Sequence, residues 1–220
     1  MSTVPNQWEH DQNSHGTHVT SSILGFNMGT RVVNGVALLA TVIPVKVLGR
    51  NGSGWSSRTA AAIVYVTNLA RGALAGSPVV INMSLGGPEL DAAEKAAIDY
   101  AVALDVAAPG SWVVGPFQEQ SGKTSYFFLG GTSMASPHVA GIAALMLQKN
   151  PALRQSEVEG ILERTAIPLA AGCRDIVDPN QGPIQICWGA DATGAGLATA
   201  DAALAAAGGS TSTSTKNRNK

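Results

Sequence analysis

Charge is scarce in this chain of 220 residues: Asp, Glu, Lys and Arg together make up 13%, and the formal net charge is −1. Without a basic surplus there is no electrostatic footprint for a phosphate backbone, so nucleic acid is not an expected partner. Long apolar runs are also missing. Nowhere do about 18 apolar residues follow one another, which argues against a helical membrane span. Residues 1–10 are polar and lack the basic-then-apolar order of a signal peptide. Cysteine occurs only at Cys173 and Cys187. The two flank a Pro/Gly/Asp-rich stretch, residues 174–186, that reads as a surface excursion. A disulfide stapling it and a pair of free thiols both fit. No internal repeat is evident.

What is abundant points to one compact domain. Hydrophobic residues make up 45% and glycine occurs 25 times, a composition for a buried core with close helix–sheet packing. Residues 42–48 and 79–85 are β-branched and apolar, as fully buried parallel strands are. Between them, Ser56 or Ser57 is placed to cap a helix through Ile63, Val66, Leu69 and Ala70. Strand, helix and strand in that order make a crossover unit. His15 opens a helix through Val19, Ile23 and Leu24, and residues 92–102 read as another. Pro151 ends an apolar helix that starts near Ser133, and an amphipathic helix follows through Val158, Ile161 and Leu162. The expected class is α/β, a parallel sheet with helices on both faces.

One stretch carries chemistry: Gly130-Gly131-Thr132-Ser133-Met134-Ala135-Ser136-Pro137-His138-Val139-Ala140-Gly141. Small residues leave the Ser133 hydroxyl open, at the N-terminal end of a helix apolar on nearly every side. There, backbone N–H groups and the helix dipole favour a developing negative charge. The stretch resembles the serine box of the subtilisin-like serine proteases (peptidase family S8). Asn13-Ser14-His15-Gly16-Thr17-His18-Val19 is similar to that family's histidine box, and Ile81-Asn82-Met83-Ser84-Leu85-Gly86-Gly87 to the strand and turn lining its substrate cleft. Residues 45–48, 104–110 and 194–204 match more weakly.

The resemblance implies Ser133 as nucleophile and His15 as general base. It implies a cleft in which Ser84, Leu85, Gly86 and Gly87 pair with an extended peptide, with Gly52, Ser53 and Gly54 as the opposite wall. Gly86–Gly87 read alone are a turn, and Gly52–Gly54 a plain loop. His18 and His138 read as structural histidines. His15 and His18 lie three apart without the Glu of a zinc-protease helix, so no metal is expected. Arg174, Asp175 and Asp178 read as a solvated face, with structural calcium a weaker reading.

Two of the family's parts have no counterpart. Its triad aspartate lies well upstream of the histidine, yet Asp11 is the only aspartate before His15, at the place of an acidic residue that decorates the box. The asparagine donating to the oxyanion is also missing: no Asn occurs between Asn82 and Asn150, and Gln118 and Gln120 sit in unlike surroundings. About forty to sixty residues of the family pattern are absent after Gly87, so the sheet is expected to lack central and flanking strands. In subtilisin itself, loss of the asparagine costs about 10² to 10³ in turnover, and loss of the aspartate about 3 × 10⁴.

The sequence therefore predicts a polar tail over 1–9, an incomplete S8-like domain over 10–207, and a disordered Ser/Thr-rich basic tail over 208–220. The expected activity is impaired serine endopeptidase action on an extended peptide or protein, by a monomer, with no cofactor and no membrane association. Secretion is the family expectation. The alternatives are a peptide-binding pseudoprotease and a fragment without autonomous function.

Overall fold

The computed structural model describes residues 10–86, 106–118, 123–178 and 181–208. Gly87, Gln120, the helix expected over 92–102, residues 104–105 and the tails over 1–9 and 209–220 lie outside them.

Helix α1 (His15–Leu24) opens at the histidine, as the sequence predicts. Strands β1 (Gly25–Met28) and β2 (Arg31–Asn34) follow as an antiparallel pair with Phe26 opposite Val33. Helix α2 (Ser56–Arg71) starts a residue earlier than a serine cap would place it. The Trp55 carbonyl takes the amides of Arg58 and Thr59, so both serines lie inside the first turn and Trp55 flanks it without a side-chain cap.

Strands β3 (Val113–Gln118) and β4 (Thr124–Leu129) form a second antiparallel pair. They lead into α3 (Thr132–Lys149), which stops just before Pro151. Helix α4 (Gln155–Thr165) is capped at its start: Glu157 accepts the Arg154 amide at 2.8 Å and its Nε at 3.2 Å. The Cys173-to-Cys187 excursion is not a loop. It is a hairpin of β5 (Gly172–Asp178) and β6 (Gly182–Trp188), with the two cysteines opposite each other and joined as a disulfide. Its face is solvated: Arg174 and Asp175 are exposed, and Asp175 accepts a hydrogen bond from Gln185 at 2.9 Å. A last helix, α5 (Ala200–Ala207), closes the described chain.

The core lies among α3, α4 and α5. Ile142 and Met146 of α3 pack with Ile161 and Leu162 of α4 and with Ala203 and Ala207 of α5. Met146 and Leu162 are fully buried, and burying each such side chain is worth about 1.5–3 kcal/mol. Main-chain bonds between Ile167 and Leu197, and from Ala198 to Ala107, tie the connecting segments to this core.

The N-terminal half is covered less. The parallel ladder expected between residues 42–48 and 79–85 does not form among the described residues, whose sheets are three antiparallel pairs. Parallel strands need neighbours on both sides, and these two segments do not bond each other. Val42, Ile43, Val80 and Leu85 stay more than a third exposed. Helices on two sides of these segments keep the molecule in the α/β class. No described helix is long and apolar enough to cross a membrane.

Candidate active site

Ser133 lies half-buried in the first turn of α3. The preceding Gly131 has φ 143°, a conformation that a Cβ disfavours, and its N–H donates to Gly110 O at 2.7 Å. The turn is thereby anchored to the 106–110 segment. One turn further on stands Pro137, which has no N–H to give to the Ser133 carbonyl four residues back. The Ser84 hydroxyl supplies that bond instead, at 2.8 Å. Ser84 is held in turn by the Asn82 amide at 3.1 Å, and the Asn82 carbonyl oxygen accepts from Ser136 at 2.7 Å. A closed chain of side chains thus fastens the 79–86 segment to the start of α3. Sequence reading placed Ser84 at the cleft but missed this link; the signal was available in Pro137, whose missing N–H predicts a carbonyl in need of a donor.

His15 is the first residue of α1, and its ring makes no hydrogen bond with any described residue. Its position is set by Asp11. That carboxylate accepts the amides of Asn13 at 3.2 Å, Ser14 at 2.8 Å and Thr17 at 2.7 Å, and the Thr17 hydroxyl at 2.7 Å. It fills the capping role that the neighbouring Ser14, buried at φ 67°, leaves open. Burial works against ionisation of Asp11, but the bonds from Thr17, Ser14 and Asn13 outweigh it and hold the carboxyl below its ordinary range. Asp11 therefore shapes the turn that presents His15 without touching its ring.

The other expected residues fall around these two. Asn13 Nδ2 donates to Arg50 O at 3.0 Å, and Gly52 lies against the same side chain, so the Gly52-Ser53-Gly54 turn borders the histidine turn. Ser84 and Leu85 line one large cavity together with His15, and Gly86 is exposed at its end. Gln118 belongs to β3, and Asn82 is committed to Ser84, so the Asn82 amide does not stand ready as an oxyanion donor.

His18 and His138 are both engaged within the fold. His138 Nδ1 donates to Met134 O at 2.8 Å. His18 is fully buried beneath β3 and β4, with Nε2 3.2 Å from Phe127 O. A carbonyl only accepts, so Nε2 carries the proton. Gly115 is needed above it, since a Cβ there would come within 2.6 Å of the ring. Burial chiefly, and the nearby His15, lower the His18 pKa, while the Phe127 and Val113 carbonyls pull the other way. Among the described residues, no cluster of His, Cys, Asp or Glu is arranged to hold a metal ion.

Known proteins place this geometry. The Subtilase family profile (peptidase S8) matches residues 2–103 and 93–206. Subtilisin DY of Bacillus licheniformis is 32% identical over 210 residues, covering 72% of this chain and 72% of that protein. Subtilisin NAT of Bacillus subtilis subsp. natto is 33% identical over 203 residues, covering 71% of this chain and 51% of its own length. Among solved structures, a protease of Pseudoalteromonas arctica superposes with a TM-score of 0.65 at 29% identity, over 88% of this chain and 70% of that one. A serine presented at the start of an apolar helix, a histidine opening another and a tied-in cleft segment are thus the parts of a shared α/β fold, and the chain belongs to the subtilase family of serine proteases.

Proposed function

We propose that the chain is a serine endopeptidase of subtilisin type with impaired turnover. Ser133 Oγ attacks the carbonyl carbon of an extended peptide while its proton passes to His15. The tetrahedral adduct then breaks the C–N bond, and His15 returns the proton to the leaving amine. Water, giving a proton to His15, hydrolyses the acyl-enzyme and restores Ser133. Main-chain N–H groups at the start of α3 lie at the positive end of the helix dipole, where the oxyanion develops. The substrate pairs along residues 84–86. Ser133, His15 and these main-chain N–H groups carry the reaction within one monomer. The disulfide of the β5–β6 hairpin favours a secreted location.

The observation carrying this reading is the Ser84 bond that holds the Ser133 turn against the cleft segment. Impairment follows from the His15 ring, which no described carboxylate orients, and from the engaged Asn82 amide. The family match also breaks into two stretches that meet within residues 93–103, where the sequence reading places the missing segment.

The same two defects favour a second reading, a cleft that holds peptides without cutting them. Fluorophosphonate labelling read by intact mass separates the two. Labelling of the native chain and none of Ser133→Ala is the expected result; a folded chain that binds peptide but never labels leaves only the pseudoprotease.

A further inference from the structure

A cavity of about 1350 Å³ is lined by α2, α3 and the two apolar segments that the sequence predicts as strands. One wall is an apolar stripe of α2, with Ala62, Ile63 and Val66 at helical spacing. A stripe of α3 through Ala140, Ala144 and Leu147 lines it as well. Ala140 and Ala144 are not part of the core around Ile142 and Met146, whereas Leu147 packs against it as well. The two segments, residues 41–48 and 79–85, are joined through α2 as in a crossover unit. Among the described residues, the main chains of residues 41–45 and 79–83 make no backbone–backbone hydrogen bond.

A lipid or an apolar small molecule would fill such a space but leave those peptide groups unsatisfied, at a cost that folded proteins avoid. A helix satisfies only its own backbone. An extended peptide satisfies both edges at once. The size agrees: a strand residue in a packed layer takes about 4.8 Å by 3.3 Å by 10 Å, so the cavity has the volume of about eight residues. It also exceeds the roughly 300–1000 Å³ of ordinary small-molecule pockets.

We propose that this cavity receives an extended, uncharged, β-branched peptide of about eight residues, which pairs with both segments and completes the layer between α2 and α3. The same cavity reaches His15, Ser84 and Leu85 at the cleft, but pairing along residues 41–45 and 79–83 does not depend on whether Ser133 reacts.

The test uses the full chain carrying Ser133→Ala, so that no peptide is cut, and a fluorescent Val/Ile/Ala octapeptide flanked by lysines for solubility. Anisotropy is expected to report saturable binding, with a rise in the thermal midpoint. Methylating alternate peptide nitrogens keeps the apolar surface but removes ladder donors, and should weaken binding about a hundredfold. Filling the cavity from either wall, by Ala144→Trp or separately by Ala62→Trp, should abolish binding. Each wall variant in the otherwise native chain should keep its fluorophosphonate labelling, if the native chain labels, and its helical circular dichroism. Equal binding of the methylated peptide would overturn the proposal in favour of unspecific apolar contact. Undiminished binding by both tryptophan variants would overturn it in favour of the cleft, and no binding at all would overturn it outright.

Discussion

At the scale of single residues, the site rests on substitutions of one hydrogen-bond partner for another. Pro137 withdraws a donor from the Ser133 carbonyl, and Ser84 replaces it across 49 positions of chain. Ser84→Ala should therefore destabilise the chain by about 1 kcal/mol and slow labelling of Ser133, whereas Ser84→Thr keeps the hydroxyl and should keep both. Urea unfolding alongside labelling rates reads this, and an Ala variant indistinguishable from native would remove Ser84 from the site.

His18 gives a pH dependence with a definite sign. Its folded pKa lies below the ordinary 6.5, so between the two values the unfolded chain binds more protons. Its stabilising contribution is complete above about pH 6.5 and is lost as pH falls through the folded value. Thermal midpoints should decline on acidification in that window. A His18→Gln variant, less stable overall, should show a flatter decline there. An equally steep decline in the variant would assign the effect to other groups.

Among the elements, stability is concentrated in the three C-terminal helices. Leu162 of α4 is fully buried while Leu39, in the connection before residues 41–48, is 87% exposed. Leu162→Ala should cost about 2–5 kcal/mol, and Leu39→Ala should stay within about 0.5 kcal/mol. Urea midpoints of the two variants compare them directly; similar losses would mean that the N-terminal half is packed far better than its exposure indicates. The element pattern was readable in advance where local signals agree. The apolar spacing of Val19, Ile23 and Leu24 after His15 marks α1; the Val158–Ile161–Leu162 stripe after Pro151 marks α4. The hairpin of β5 and β6 was not readable, because the Pro/Gly/Asp-rich composition of residues 174–186 suits a loop equally well.

For the whole molecule, the contrast between a closed C-terminal core and an open N-terminal layer has a dynamic consequence. Local opening is easiest where few buried contacts and few main-chain bonds hold a segment. Amides of α3 and α4 should exchange slowest with solvent, and those of residues 41–45 and 79–83 among the fastest. Slow exchange in those two segments would mean that they are already paired. A pairing peptide of the kind proposed above should convert their fast exchange to slow.

The sequence alone determined the family and the helices around His15 and Ser133, because each lies in a short contiguous motif with its own local chemistry. Tertiary structure alone decided what those motifs do for one another. That Ser84 mends the gap left by Pro137, that Asn13 ties the histidine turn to Arg50, and that residues 42–48 and 79–85 form no ladder with each other all depend on how distant segments are placed. Buried strands read identically from their own residues whether or not a neighbour exists, since the ladder hydrogen bonds that make a sheet belong to the pair and not to either strand.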